Sequence, residues 1–139
     1  MKKKPTGVTD LKRLIHDMEP VLNDGEYVFC TIPDADLKLV PREITICEFK
    51  ENEGITIILS KEDALKHGLS FDYVASWITL NIHSSLEAVG LTAAFSAELS
   101  KYGISCNVVA GYYHDHLFVD KKDGSKAIKV LQDMTGKNH

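Results

Sequence analysis

The segment Ser84-Ser85-Leu86-Glu87-Ala88-Val89-Gly90 carries the residue types with the clearest chemical use in this sequence. Ser84 and Glu87 have the S-x-x-E spacing of a capping box, which predicts that a helix begins here. Unpaired backbone N–H groups and the positive end of the helix dipole converge at a helix N-terminus, so the segment suits a carboxylate ligand. Gly90 is expected inside this helix, where a close approach by a ligand or a neighbouring helix would explain a glycine. The alternative is a purely structural role, in which Ser84 and Glu87 cap the helix and Gly90 lets it pack on the sheet.

Asp115, flanked by His114 and His116, is the second candidate group. An ionised Asp115 at a sheet edge can pair with an ammonium or guanidinium group, and a surface acid near a turn is the alternative. The two histidines lie at i and i+2, so they point the same way on a strand, and together with His83 they suggest a metal site. No Cys or carboxylate has a convincing spacing for a third ligand, so we expect no metal.

Catalytic motifs are absent from the sequence. There is no G-x-S-x-G elbow, no H-E-x-x-H helix, no P-loop and no G-x-G-x-x-G run. Cys106 and His116 are the one candidate Cys–His pair, if they face each other on adjacent strands, and a packing role for the cysteine is the alternative. We therefore expect no enzymatic activity and no cofactor.

Composition excludes several classes of protein. The chain has 139 residues, of which 44% are hydrophobic and 26% charged, and its net charge is −4. This balance is typical of a soluble globular protein and argues against nucleic acid as a partner. No apolar stretch approaches the ~18 residues of a membrane span, and no secretion signal follows the N-terminal lysines. The three cysteines have no CxxC spacing, which favours reduced thiols and a cytoplasmic location.

Hydrophobic periodicity predicts an alternation of helices and strands. In the first half we expect a helix over 10–19 with Thr9 as its N-cap, strands over 27–32, 43–49 and 54–59, and a short helix capped by Ser60 and ended by Gly68. In the second half we expect an extended segment over 71–82, shared by both halves, a helix over 85–102, strands over 104–110 and 113–119, and a final helix capped by Asp123. A faint similarity between 54–65 and 115–126 is consistent with a duplication.

The stretch from Trp77 to Val119 reads WITLNIHSSLEAVGLTAAFSAELSKYGISCNVVAGYYHDHLFV and resembles ACT-domain proteins. More narrowly, it resembles the small tandem-ACT proteins related to the regulatory tails of aspartate kinases and to the CASTOR arginine sensors. The interval from Gly90 to Ile104 and the D-H-L-F-V block are its most specific parts. The first half of the chain follows the family only in the order of its elements.

The resemblance implies an α+β fold of two ferredoxin-like βαββαβ units, with antiparallel sheets paired side by side and helices on one face. The domains expected from it are a disordered tail over 1–8, a degenerate N-terminal ACT-like unit over 9–70 and a C-terminal ACT domain over 71–139.

In that family, amino acids bind at the seam between units, against the loop after the first strand, the start of the first helix and the facing strand. The resemblance thereby implies ligand-binding roles for Ser84, Ser85, Glu87, Ala88, Val89, Gly90, Leu91 and Asp115. It implies an amino-acid sensor without catalytic activity, acting as a homodimer or through a protein partner. The alternatives are a ligand-independent interaction module and an enzyme or transport-associated factor.

Overall fold

The computed structural model describes residues 8–82 and 90–137. Its contacts define two compact units, a split unit made of Met1–Asn23 and Ser76–His139 and a continuous unit made of Asp24–Ala75. The strands are β1 Glu19–Leu22, β2 Tyr27–Ile32, β3 Thr45–Lys50, β4 Ile55–Ser60, β5 Val74–Asn81, β6 Cys106–Ala110 and β7 Asp115–Asp120. The α-helices are α1 Val8–Asp17, α2 Lys61–Lys66, α3 Leu91–Lys101 and α4 Gly124–Met134.

The split unit has a sheet in the order β1-β5-β7-β6. β1 pairs antiparallel with β5, placing Pro20 opposite Leu80, and β6 pairs antiparallel with β7, placing Cys106 opposite Val119. The chain runs β5-α3-β6-β7-α4, and β1 from the start of the chain supplies the remaining strand. This is a βαββαβ set whose last strand comes first in the sequence.

One face of this sheet forms the core of the split unit. Alternation along β5 and β7 points every second side chain to that face, and the helical spacing of α3 brings three side chains down onto it. Residues of α1 pack against the same core, but only partly buried. The buried side chains include Ile78, Leu80, Leu117 and Val119 from the strands, Ile82 directly after β5, and Leu91, Phe95 and Leu99 from α3.

The continuous unit has a sheet in the order β3-β4-β2, which the first two residues of β5 extend. β2 pairs with β4 from Tyr27 opposite Ser60 to Ile32 opposite Ile55. A 3-10 helix over Asp34–Leu39 lies in the chain where a first α-helix would be expected. Ser60 Oγ accepts a hydrogen bond of 3.0 Å from the Asp63 backbone N–H and so caps α2, as predicted.

The predicted α+β class and the ferredoxin-like antiparallel units are confirmed. The first helix was predicted too late in the chain, since Thr9 lies inside α1, and the strand β1 was not predicted at all. Pro20 explains the error, because proline disfavours helical backbone in the residue before it and tolerates the edge of a sheet. Leu22, beyond the predicted helix, lies in β1 and pairs with Ile78.

The helix predicted to begin near residue 85 was expected to contain Gly90. That part of the prediction is wrong. This glycine has φ 89° and precedes the first helical residue, Leu91. The domain boundaries expected from the resemblance, 9–70 and 71–139, remain a prediction. Across residues 8–82 and 90–137, no helix is long and apolar enough to cross a bilayer.

Candidate functional site

The structure describes three of the eight residues to which the resemblance gave a binding role. Gly90 and Leu91 form the start of α3, and Asp115 is the first residue of β7. The other five, Ser84, Ser85, Glu87, Ala88 and Val89, lie outside the described residues.

The start of α3 depends on its glycine. Gly90 adopts the left-handed conformation that glycine takes without strain, and its carbonyl accepts a hydrogen bond of 2.9 Å from the Ala94 N–H. A Cβ at this position would lie 3.3 Å from Cδ2 of Leu11, so α1 closely approaches the backbone here. Gly90 has no side chain to cap the helix and the first turn has no acidic residue, so among the described residues the backbone N–H groups are the donors that this helix start offers.

Leu91 cannot offer its side chain to a ligand at this site. It is 3% exposed and belongs to the core of the split unit together with Phe95 and Leu99. The binding role expected for Leu91 is therefore limited to its backbone.

Asp115 lies at the end of the sheet where the chain leaves β5 towards α3. Trp77 of β5 contacts Phe118, and Thr79, two residues later, contacts His116, so the two strands run in opposite directions. The start of β7 therefore lies beside the end of β5. Asp115 shares a face of the sheet with Leu117, which is the face that α3 covers, because residues i and i+2 of a strand point the same way.

Burial and a neighbouring histidine shift the pKa of the Asp115 carboxyl in opposite directions. Burial raises the pKa of the Asp115 carboxyl, and the neighbouring His116 lowers it in part. A partly desolvated carboxylate gains more from an ammonium group than an exposed one does. The expectation that Asp115 lies at a sheet edge is wrong, because β7 is flanked by β5 and β6.

A hydrogen-bond network on the opposite face of the sheet was not predicted from the sequence. Trp77 Nε1 lies 3.1 Å and Thr79 Oγ1 lies 3.3 Å from Nδ1 of His116. The indole N–H can only donate, so this Nδ1 accepts and the neutral ring carries its proton on Nε2. Asn23 Nδ2 donates to Thr79 Oγ1 at 3.0 Å. The sequence carried one signal for this network, since the alternation of side chains along a strand places Trp77 and Thr79 on the same face.

The surroundings of His116 favour the neutral form of its imidazole. Burial lowers its pKa, the neighbouring His114 lowers it further, and Asp115 raises it. Nδ1 of His114 is buried without a hydrogen-bond partner. The two rings have centroids 6.5 Å apart. Among the described residues, no group of three potential metal ligands comes together, and His83 lies outside them.

The Cys106–His116 pair considered for catalysis is not formed. Cys106 lies opposite Val119 in the register, whereas His116 lies opposite Val109. Burial raises the pKa of the Cys106 thiol, and a hydrogen bond to Ser96 lowers it in part. A thiol with a raised pKa is a poor nucleophile near neutral pH.

Two family models, each described as an ACT domain, match the chain over residues 6–76 and 73–133. The chain therefore belongs to the ACT-domain family and carries two such domains in tandem. ACT domains are typically regulatory modules that bind ligands, usually amino acids, and they often dimerise.

Among solved structures, the chain is similar to a protein of unknown function from Vibrio cholerae, described as a possible transport protein. The identity is 44%, over 94% of this chain and 99% of that chain, and the TM-score is 0.81. A protein from Agrobacterium tumefaciens is 16% identical over 85% and 89% of the two chains, with a TM-score of 0.64. The regulatory subunit of aspartate kinase from Thermus thermophilus, in its ligand-free form, is 8% identical over 84% and 97%, with a TM-score of 0.62. The last two show the fold alone. None of the curated proteins matches the chain.

Proposed function

We propose that this protein is an amino-acid sensor of the cytoplasm, which has no catalytic activity of its own and regulates another protein through its ligand. The observation that carries the proposal is that Asp115 lies beside the end of β5, the strand that precedes α3 in the chain, in a protein with two ACT domains. An acidic side chain and the backbone N–H groups of a helix start are the complementary partners of a zwitterion.

The two charged groups of the proposed ligand bind to different elements of the protein. Its carboxylate accepts hydrogen bonds from the backbone N–H groups of the first turn of α3, where the helix dipole also favours a negative charge. Its ammonium pairs with the Asp115 carboxylate, whose partial burial strengthens the interaction. Binding would favour one conformation over another only as far as the ligand's affinities for the two differ.

A thermal-shift screen of the standard amino acids should give at least one stabilising ligand, with a rise in melting temperature that grows with ligand concentration. Asp115→Asn keeps the shape of the side chain and removes its charge, so we expect it to weaken that ligand about tenfold or more. Asp133→Asn, at an exposed position of α4, is the matched control and should leave the affinity unchanged.

The absence of any stabilising amino acid at millimolar concentration would contradict the proposal. So would a ligand that binds Asp115→Asn and the original chain equally. In either case Asp115 would not be a binding residue of the kind proposed.

The second candidate is a ligand-independent interaction module. The position of Leu11 favours it, because its Cδ2 would lie 3.3 Å from a Cβ at Gly90, so a side chain of the protein itself lies near the start of α3. An oligomer of constant size with and without amino acids, measured by sedimentation, together with a negative screen, would support this function over the first.

A further inference from the structure

The helices of the split unit line an open groove that the proposed function does not use. It has a volume of about 440 Å³, which is within the range of small-molecule sites. α1 forms one wall, α3 a second, and the end of α4 a third. Its lining residues are Lys12, Ile15, His16, Glu98, Met134 and Thr135.

His16 is held in a fixed orientation at the edge of this groove. Its Nδ1 lies 2.9 Å from the backbone carbonyl oxygen of Thr135. A carbonyl oxygen can only accept a hydrogen bond, so Nδ1 donates, and Nε2 of the neutral ring is left as an acceptor. The hydrogen bond also ties the end of α1 to the end of α4. A ligand that donates a hydrogen bond to Nε2 would therefore meet a preorganised partner.

Opposite charges line the groove on different helices. Lys12 lies one helical turn before His16 on α1, and among the described residues it has no ion-pair partner. Glu98 on α3 forms a salt bridge of 3.1 Å with Lys101, but its side chain is only 30% exposed, against 70% for that lysine. The groove thus offers a cation from α1 and a partly shielded carboxylate from α3. Ile15 and Met134 add apolar surface to the lining of the groove.

We propose that this groove is a second ligand site, which binds a small zwitterion with an apolar side chain. The ligand carboxylate pairs with Lys12, the ammonium donates to Glu98 and to Nε2 of His16, and the side chain packs on Ile15 and Met134. The site shares no residue with the start of α3 or with Asp115. It goes beyond the proposed function because it would add a separate ligand-binding event to the same unit.

L-leucine is the probe, titrated into the full chain by calorimetry and by NMR of the histidine rings. We expect leucine to shift the His16 ring resonances and Lys12→Gln and Glu98→Gln each to weaken binding about tenfold. Isovalerate, which lacks the ammonium, and isoamylamine, which lacks the carboxylate, should each bind at least about tenfold more weakly than leucine. Lys129→Gln, at an exposed position on α4, is the control and should bind like the original chain.

Unchanged leucine affinity in Lys12→Gln and Glu98→Gln would overturn the groove site, as would the lack of any leucine binding at about 10 mM. The variants distinguish failure of the groove proposal from failure of the proposed function. Loss of leucine binding in Asp115→Asn, with full binding in Lys12→Gln, would overturn the groove and support the proposed function. Loss in Lys12→Gln, with full binding in Asp115→Asn, would support the groove and place leucine outside the site at Asp115.

Discussion

Gly124→Ala should lower the free energy of unfolding by about 2 kcal/mol, although alanine is the better helix former. Gly124 begins α4 with φ −53° and ψ −53°, which any residue adopts, so the backbone is not the obstacle. A Cβ at this position would lie 2.9 Å from Cβ of Ser76 and 2.5 Å from its Oγ. The hydroxyl can rotate away, but the Cβ of Ser76 moves only with β5, so helix and strand must separate. Chemical denaturation of the variant and the original chain measures the loss.

A double-mutant cycle separates this contact from other effects of the substitution. Ser76→Gly removes both atoms that the new Cβ would meet. In that background Gly124→Ala should cost much less, or stabilise the protein through the helix propensity of alanine. Equal costs of Gly124→Ala in the two backgrounds would show that the close approach of α4 and β5 is not what requires a glycine.

His116→Ala should lower the free energy of unfolding by about 1–3 kcal/mol, because it removes the acceptor of two hydrogen bonds on a partly buried face. His114→Ala is the matched control. It removes a neighbouring imidazole whose buried Nδ1 has no partner, so no hydrogen bond of that atom is lost. We expect the cost at His114 to be clearly smaller, and equal costs at the two positions would contradict the role assigned to the network.

The same network predicts how stability depends on pH. The pKa of His116 in the folded protein is below its ordinary value of 6.5, so the unfolded chain binds more protons in the interval between the two values. The stability contributed by neutral His116 is therefore complete above about pH 6.5 and is lost as the pH falls through the lowered pKa, with a slope of at most about 1.4 kcal/mol per pH unit. Asp115 acts in the opposite sense, because its raised pKa makes stability fall as the pH rises through that value. The contribution of His116 is the difference between the pH dependence of stability of the original chain and that of His116→Ala.

Trp77 is the single tryptophan of the chain and reports this titration directly. Protonation of His116 at Nδ1 requires that nitrogen to stop accepting from the indole N–H. The fluorescence of Trp77 should therefore change with a midpoint below pH 6.5, and the change should be absent from His116→Ala. Persistence of the same transition in that variant would assign it to another group.

The parts of the fold that the sequence predicted well are those fixed by local chemistry. The strand over 27–32 was predicted with its observed bounds, since its neighbours are turn residues on one side and a proline on the other. The cap of α2 was predicted because a serine hydroxyl and the N–H three residues later are close in any helix. Gly68 adopts the left-handed conformation expected at the end of that helix.

The errors concern elements whose conformation is decided by distant partners. β1 is short and contains Pro20, and what makes it a strand is its pairing with residues 78–81 of β5. Nothing near Pro20 in the sequence encodes that pairing. The start of α3 was predicted too early, because the capping-box pattern at Ser84 indicates a helix start before Gly90. Gly90 adopts a conformation that is incompatible with a helix interior.

The candidate site was predictable in outline and not in detail. The resemblance identified Gly90 and Asp115, but the orientation of Leu91 into the core depends on where α3 begins. The network around His116 joins Asn23 to residues of β5 and β7, and such a grouping follows from the register of the strands. The groove similarly combines α1 with helices of the second half of the chain.

Because the split unit combines the beginning of the chain with its second half, the ribosome makes its strands at different times. When the ribosome has released residue 75, the continuous unit possesses all of its strands and can complete its core. β1, made earlier, has no partner until Ile78 to Asn81 emerge. During that interval Met18 and Pro20, which are both buried in the folded protein, remain exposed to chaperones and to other nascent chains. The first strand therefore stays unpaired until a segment about sixty residues further on has been made, and the entropic cost of closing that loop rises only slowly with its length.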